Sequence, residues 1–412
     1  MKKFAVVATL AAALLSTTAL RAADVEVTHW WTSGGEAAAV AEFAKAFDAT
    51  GNHWVDGAIA GSGDTARPII ISRILGGNPM GATQLNPGKD ADDLVKAGLM
   101  LDLTDLAKQE DWAAIINPKS QLDSCTYDGK VYCVPVNLHS AQWIWLNRHV
   151  YEDAGVPVPK DWFEFVNTAP QLADKGIVPL SVANGWPVQT LLADIEVAVA
   201  GVDDYIKVYK GRDVDLASGP TYRKVFEAMD AARKLVDPAT MVPQWNDAVA
   251  LVVQGKAAAN VMGDWAQGEF AVANMKAGVD YDCLPGLGVT PVLDTGGDVF
   301  YFPKNSDPEV EKAQLVLAST LLKKDTQVAF NLKKGSLPIR QDVDLNAAND
   351  CMKKGIAILQ SGANFPSNSQ MMDRDSLNQI RDIYNNFFAD QNVTIDEAQA
   401  QFAEVVKNAP PL

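Results

Sequence analysis

The chain of 412 residues is 48% hydrophobic and 21% charged, with 35 basic against 51 acidic side chains and a net charge of −16. That apolar content excludes disorder, and at roughly 100–200 residues per domain the length predicts two or three domains. The acidic balance argues against nucleic acid and against anionic membrane surfaces, which both need a basic footprint.

The first element is an export leader. Met1-Lys2-Lys3 is cationic, Phe4 to Leu15 is an almost unbroken apolar run, and Ser16 to Ala23 is polar and small. This three-part pattern predicts a signal peptide over residues 1–23, cut after Ala22 or Ala23. The run is shorter than the ~20 residues of a membrane span. Its removal takes Lys2, Lys3 and Arg21 but no acid, leaving a mature charge of −19. No later stretch reaches ~18 uninterrupted apolar residues, so no membrane anchor is expected. The first cysteine is Cys125, so no lipidated N-terminal cysteine is expected either.

Strand and helix then alternate. Val25 and Val27 alternate with Glu26 and Thr28 as in a strand. Ser33 and Glu36 have capping-box spacing, and Val40, Phe43, Ala44 and Phe47 form one helical face before Gly51. A second strand over Trp54–Ala60 leads through a Gly61-Ser62-Gly63-Asp64 turn to a helix through Ile69–Leu75. Pro68 is expected in its first turn, capped by Thr65, and Gly76-Gly77-Asn78-Pro79 ends it. A third strand covers Ala82–Leu85, and after Asn86-Pro87-Gly88 a helix starts near Asp90. Repeated units of this kind predict a mostly parallel sheet flanked by helices.

The middle of the chain is more helical, with helical spacing over 160–166, 189–200, 221–236 and 245–255. A strand at Asp298–Pro303, helices at Glu309–Leu322 and Thr326–Lys333, and polar helix from Asp373 onward complete the reading. There is no repeat and no low-complexity linker in mid-chain, so two lobes must exchange the chain by crossovers. These are placed near Val134–Leu138 and, for the return, near Phe300–Pro303.

Four cysteines, at 125, 133, 283 and 351, fit an oxidising compartment. Cys125 and Cys133 flank an Asp128-Gly129 hairpin signal, and a turn with one extra residue at Gly129 would bring them opposite each other. Four cysteines allow three pairings, and buried free thiols are the alternative. No CxxC pair exists and the four histidines are scattered, so no metal site is expected.

Catalytic signatures are absent: no GxSxG elbow, no phosphate loop and no HExxH zinc helix. The glycine-rich turn at 61–64 reads as a tight turn, with weak anion binding between strand and helix as the alternative. Aromatic placement carries more. Trp30-Trp31 stands where the first strand ends, and ligand crevices in open α/β sheets lie outside strand carboxyl ends. The alternative is one core and one rim residue. Trp245 and Trp265 each have a carboxylate nearby (Asp247, Asp264, Glu269), the pairing a sugar needs: an aromatic face for its C–H groups and polar partners for its hydroxyls. Core packing is the alternative for each.

Four segments, at 25–47, 127–165, 251–270 and 330–344, resemble in the correct order the extracellular solute-binding proteins (family 1) of ABC sugar importers, most closely periplasmic glucose-binding proteins. The resemblance implies an α/β, two-lobed periplasmic-binding-protein fold of type II-like form, with mostly parallel sheets and a strand hinge. The lobes would be 24–135 with about 303–345, and 136–302 with about 346–412. It implies a periplasmic monomer without cofactor, delivering a sugar to a membrane permease with separate ATPase subunits, and a Cys283–Cys351 disulfide. Trp30, Trp31 and Glu36 match a sugar-contact segment, Trp245 and Trp265 the stacking aromatics, Lys334 a hydroxyl-binding lysine and Gln84 a polar contact. Three positions depart from the pattern. Asn86 replaces a lysine or histidine, and Gln370 replaces a histidine. Gly297 replaces an aspartate, with Asp298 one residue later and expected on the opposite strand face. Lost polar partners argue against glucose and for another aldose, a polyol or a small oligosaccharide. An exported carbohydrate-active enzyme, a binder of a non-sugar solute and a chemoreceptor adaptor are the alternatives.

Overall fold

A computed structural model of the chain describes residues 22–87, 89–294 and 296–411. All but the last two residues of the expected leader lie outside the described residues. Among the described residues, nine strands of three residues or more build two sheets: β1 (Asp24–His29), β2 (His53–Ala58), β3 (Ala82–Leu85), β4 (Cys133–Pro135), β5 (Trp143–Asn147), β6 (Val178–Ser181), β7 (Ala257–Val261), β8 (Tyr281–Pro285) and β9 (Val299–Tyr301). One sheet has the order β2-β1-β3-β9-β4 and the other β8-β5-β7-β6. Six helices shape the space between them: α1 (Gly34–Asp48), α2 (Ser62–Leu75), α3 (Trp186–Ala200), α4 (Ala266–Val272), α5 (Lys324–Lys334) and α6 (Arg374–Ala389).

Each sheet centres one lobe. In the first, Val25 and Val27 are fully buried beneath α1, whose Phe43 stacks on Phe330 of α5 with ring centroids 4.0 Å apart. In the second, Phe226, Tyr384 and Phe402 bring the helices 220–235, α6 and 395–408 into one aromatic core against α3. No helix among the described residues is long and apolar enough to cross a membrane.

The sheets are more mixed than the expected mostly parallel arrangement. β1 pairs parallel with β2 and β3, and β6 with β7, but β9 runs antiparallel to β3 and β4, and β5 to β7 and β8. The cause in the first sheet is the crossing itself. β4 leads the chain out of the lobe, and β9 brings it back from the opposite direction. Since Val299–Tyr301 already belongs to the first sheet, the return lies at Gly296–Asp298, before the expected Phe300–Pro303.

Three strands of backbone cross side by side. The Val136 N–H donates to the Asp298 carbonyl (2.9 Å) and the His139 N–H to that of Gly296 (3.2 Å). Leu138 and Leu337 exchange two bonds of 2.7 and 2.8 Å. Behind this hinge α4, which follows β7 of the second sheet, packs on α1 and α5 of the first. The Gly35 N–H donates to Glu269 Oε1 at 2.8 Å, and a Cβ on Gly35 would stand 2.5 Å from the Gly268 carbonyl carbon. Only two glycines permit so close a crossing.

Local chemistry accounts for most element ends. Ser33 and Glu36 form the expected capping box. α2, however, begins at Ser62 after a left-handed Gly61 (φ 102°), so Pro68 sits inside the helix and not in its first turn. Thr65 does not cap; its hydroxyl lies against Gly61, where a Cβ would approach it to 2.6 Å. Both disulfides form, with Cα atoms 4.9 Å apart for Cys125–Cys133 and 6.0 Å for Cys283–Cys351. The first hairpin carries no extra residue. Asp128 and Gly129, both at positive φ, make a two-residue turn that opposes Thr126 to Val131. Cys133 is reached beyond the hairpin, where the chain bends into β4.

Candidate functional site

A cleft of about 800 Å³ opens between the lobes at the strand ends. Trp30, Trp31, Glu36, Asn86, Asp298 and Lys334 line it from the side of the first sheet, and Trp245 and Trp265 from that of the second. Of the remaining expected residues, Gln84 stands one layer behind. Its side-chain oxygen accepts the Trp30 N–H (3.2 Å) and its amide donates to Asp298 Oδ1 (2.9 Å). Gln370 is exposed and off the wall; it ends the 3₁₀ turn Asn368–Gln370, and Asn368 lines the cleft instead. Residues two apart in such a turn face different ways, which moves the polar contact by two positions.

The tryptophan pair divides its work. Trp31 is 2% exposed and packs on Phe300 (5.6 Å, edge-on) and Phe330 (5.3 Å), so it is the floor of the cleft and part of the core. Trp30 is half-buried and lies 5.9 Å from the Arg67 guanidinium. Opposite, the half-buried Trp265 meets His139 edge-on (5.2 Å) and Trp186 at 6.2 Å. Its ring occupies the space above Gly263, where a Cβ would lie 2.1 Å from it.

Charge is held in fixed places. Lys334 Nζ is 2.9 Å from Glu36 Oε1, both side chains are buried, and the ammonium also lies 5.4 Å from the Trp31 ring. Asp298 accepts from Gln84 and from Asn137 Nδ2 (2.9 Å), and its own N–H donates to Asn137 Oδ1 (2.7 Å). Those bonds aim a carboxylate into the cleft. The expected opposite facing of Asp298 does not occur, because β9 starts only at Val299 and period-two alternation does not reach residue 298. At the hinge, burial pushes Asp264 well above the usual carboxylate range and raises Asp294 as well. The Ser140 N–H donates to Asp264 at 3.0 Å, and that of Ala141 to Asp294 at 3.3 Å.

Gly297 has no room for the aspartate of similar proteins. A Cβ there would sit 2.4 Å from the Asn137 carbonyl oxygen and 2.8 Å from Gln121 Oε1. Gly297→Asp is therefore expected to destabilise the protein by about 2 kcal/mol, with no gain in glucose binding. Chemical denaturation and calorimetric titration with glucose check both parts.

Several lining residues escaped the sequence reading. Trp186 opens α3 beyond the loop that leaves the carboxyl end of β6, so the strand-end rule applied to the whole connection, and not to its first residue alone, would have found it. Ser62, Gly63 and Asp64 line the cleft, so the turn favoured as a tight turn is a wall of the site, with Arg67 one helical turn on. His139 sits on the hinge, and no local pattern marks it. No group of three or more metal-ligating side chains occurs among the described residues.

Residues 31–322 match the model of the bacterial extracellular solute-binding protein family. A probable sugar-binding periplasmic protein of Rhizobium meliloti (strain 1021) is 36% identical over 359 residues, 86% of each chain. A protein of the same description from Mesorhizobium japonicum is 34% identical over 404 residues, 94% of each. Among solved structures, the solute receptor AcbH, described as preferring β-D-galactopyranose, superposes with a TM-score of 0.73 at 19% identity, covering 93% of this chain and 98% of its own. RafE in complex with raffinose gives 0.69 at 16% identity, covering 93% and 99%. These structures share the two-lobed fold. With the family model spanning most of the chain and close relatives matched almost end to end, this chain belongs to the bacterial extracellular solute-binding proteins.

Proposed function

We propose that the protein captures a neutral sugar in the periplasm and delivers it to an ABC-type import permease with separate ATPase subunits. One observation carries this reading: two half-buried indoles, Trp30 of one lobe and Trp265 of the other, share a single cleft with the hinge carboxylate of Asp298, whose two oxygens accept from Gln84 and Asn137. The rings offer apolar faces to sugar C–H groups, and the carboxylate accepts from hydroxyls. Because the contacts come from both lobes, ligand favours the closed state over the open one. A dissociation constant near micromolar needs only about −8 kcal/mol, within reach of stacked indoles and charge-assisted bonds. The relatives' description as periplasmic sugar-binding proteins supports both address and ligand class.

The lobes that close are 24–135 with about 299–345, and about 140–295 with 346–411, acting as a monomer. Asn86, Gly297 and the outward Gln370 favour another aldose, a polyol or a short oligosaccharide over glucose. The family is one of binding proteins, and we assign no catalytic role to the cleft acids. A thermal-shift screen of the mature protein against monosaccharides, polyols and disaccharides tests the reading. A ligand at 100 times its dissociation constant adds about 2.7 kcal/mol, enough to raise the melting temperature by a few degrees. A shift from a non-sugar solute alone, or glycoside turnover that depends on Asp298, would overturn it.

A further inference from the structure

Glu196 is a fully buried carboxylate on α3, behind the cleft wall and used by none of the chemistry above. Its Oε2 accepts two hydroxyls, from Tyr384 of α6 at 2.6 Å and from Tyr209 of helix 202–209 at 2.9 Å. Tyr222 of helix 220–235 also faces this carboxylate, but its hydroxyl and Glu196 Oε1 are both left without a hydrogen-bond partner. Tyr205 completes the surroundings, with Asp194 and Asp294 acting on it from α3 and from the segment before the hinge. The groups facing Glu196 are thus phenols; beyond them stand Asp194 and Asp294 near Tyr205, and the Arg212 guanidinium, which donates to the backbone carbonyls of Tyr209 and Met371.

The tie matters because of what hangs on it. α3 gives the cleft Trp186, Gln189 and Thr190, and α6 gives it Asn378 and Arg381. Tyr209 and Tyr384 themselves lie along the wall. A single carboxylate oxygen therefore clamps two cleft-forming elements through one pair of hydroxyl donors. Hydrogen bonds to an ionised acceptor are roughly twice as strong as those between neutral groups.

We propose that Glu196 is a positioning residue for the sugar wall of the second lobe, holding α6 against α3 most firmly when its carboxylate is ionised. This rests on the sugar-binding reading. Burial pushes the Glu196 carboxyl up to about 7, so the clamp switches near neutral pH. The folded protein holds this proton more tightly than the unfolded chain does. Stability from this group is full below the unfolded value of about 4.3 and is lost as pH rises through about 7. Affinity moves the other way, rising as the stronger clamp forms. A purely structural role would move stability and affinity together.

The test uses the mature protein and its Glu196→Gln and Tyr384→Phe variants, titrated calorimetrically with D-galactose, D-xylose, maltose and raffinose at pH 5.5, 7.0 and 8.5. For the tightest sugar, wild-type affinity should rise about threefold or more across this range, and Glu196→Gln should keep the weaker, acidic value throughout. Tyr384→Phe, which removes one donor and no charge, should reduce the rise. In the absence of ligand, the melting temperature of wild type relative to Glu196→Gln should fall as pH rises. Asp194, Asp264 and Asp294 are common to both and drop out of that difference. A wild-type pH slope retained in Glu196→Gln, or, where that variant does not fold, an undiminished slope in Tyr384→Phe, overturns the proposal. If none of the four sugars titrates, the binding role falls with the sugar reading, and the ligand-free melting difference separately shows whether the buried charge is real.

Discussion

Replacing Lys334 with alanine is expected to destabilise the protein by about 3–5 kcal/mol at neutral pH, because it strands the Glu36 carboxylate without its partner. Both members of the pair are buried, at 2.9 Å, and each has a second task. Glu36 reaches back to the Ser33 N–H as the acidic half of a capping box, and Lys334 occupies the last turn of α5 before Gly335 at φ 90°. Glu36→Gln combined with Lys334→Met should recover much of the stability but not sugar capture, since the polar cleft floor is then gone. Denaturant melts at neutral pH measure this. A loss below about 1 kcal/mol would mean that solvent screens the pair as it does a surface bridge.

The second large effect falls on affinity. Trp265→Ala should weaken sugar binding by about 2 kcal/mol, roughly thirtyfold in dissociation constant, while circular dichroism and melting stay near wild type. The ring is half-buried, stands edge-on to His139 and is not part of the continuous core, so its removal costs contact with ligand more than packing. Gly263→Ala offers an independent route to the same loss, since a methyl there meets the indole at 2.1 Å and must displace it. Unchanged affinity in Trp265→Ala would remove the indole from the site.

Features governed by neighbours in sequence were legible. The Ser33–Glu36 cap, the buried Phe43 and Phe47 face of α1 and the strand-end position of Trp30 each depend on a few consecutive residues. Pairing across long separations was not. β9 meets β4 more than 160 residues away, and nothing near Val299 announces an antiparallel partner. Gln370 was misplaced for a related reason, since a short 3₁₀ turn decides whether Asn368 or Gln370 faces inward. The turn at 61–64 illustrates a third limit. Ser62, Gly63 and Asp64 are ordinary turn residues, and only the second lobe standing opposite makes them the wall of a site.

The crossing of Gly35 over Gly268, capped by Glu269 from the other lobe, has a mechanical meaning. It fixes the two bodies together at the rear, so it serves as an axle and the cleft mouth as the end of a lever arm. A small rotation at the axle becomes a large travel at Asp64 and Asp382, exposed residues on facing walls. A pair of fluorophores fixed at those two positions would turn sugar capture into an optical signal, while a pair bracketing the glycines would stay dark to it and serve as the internal reference.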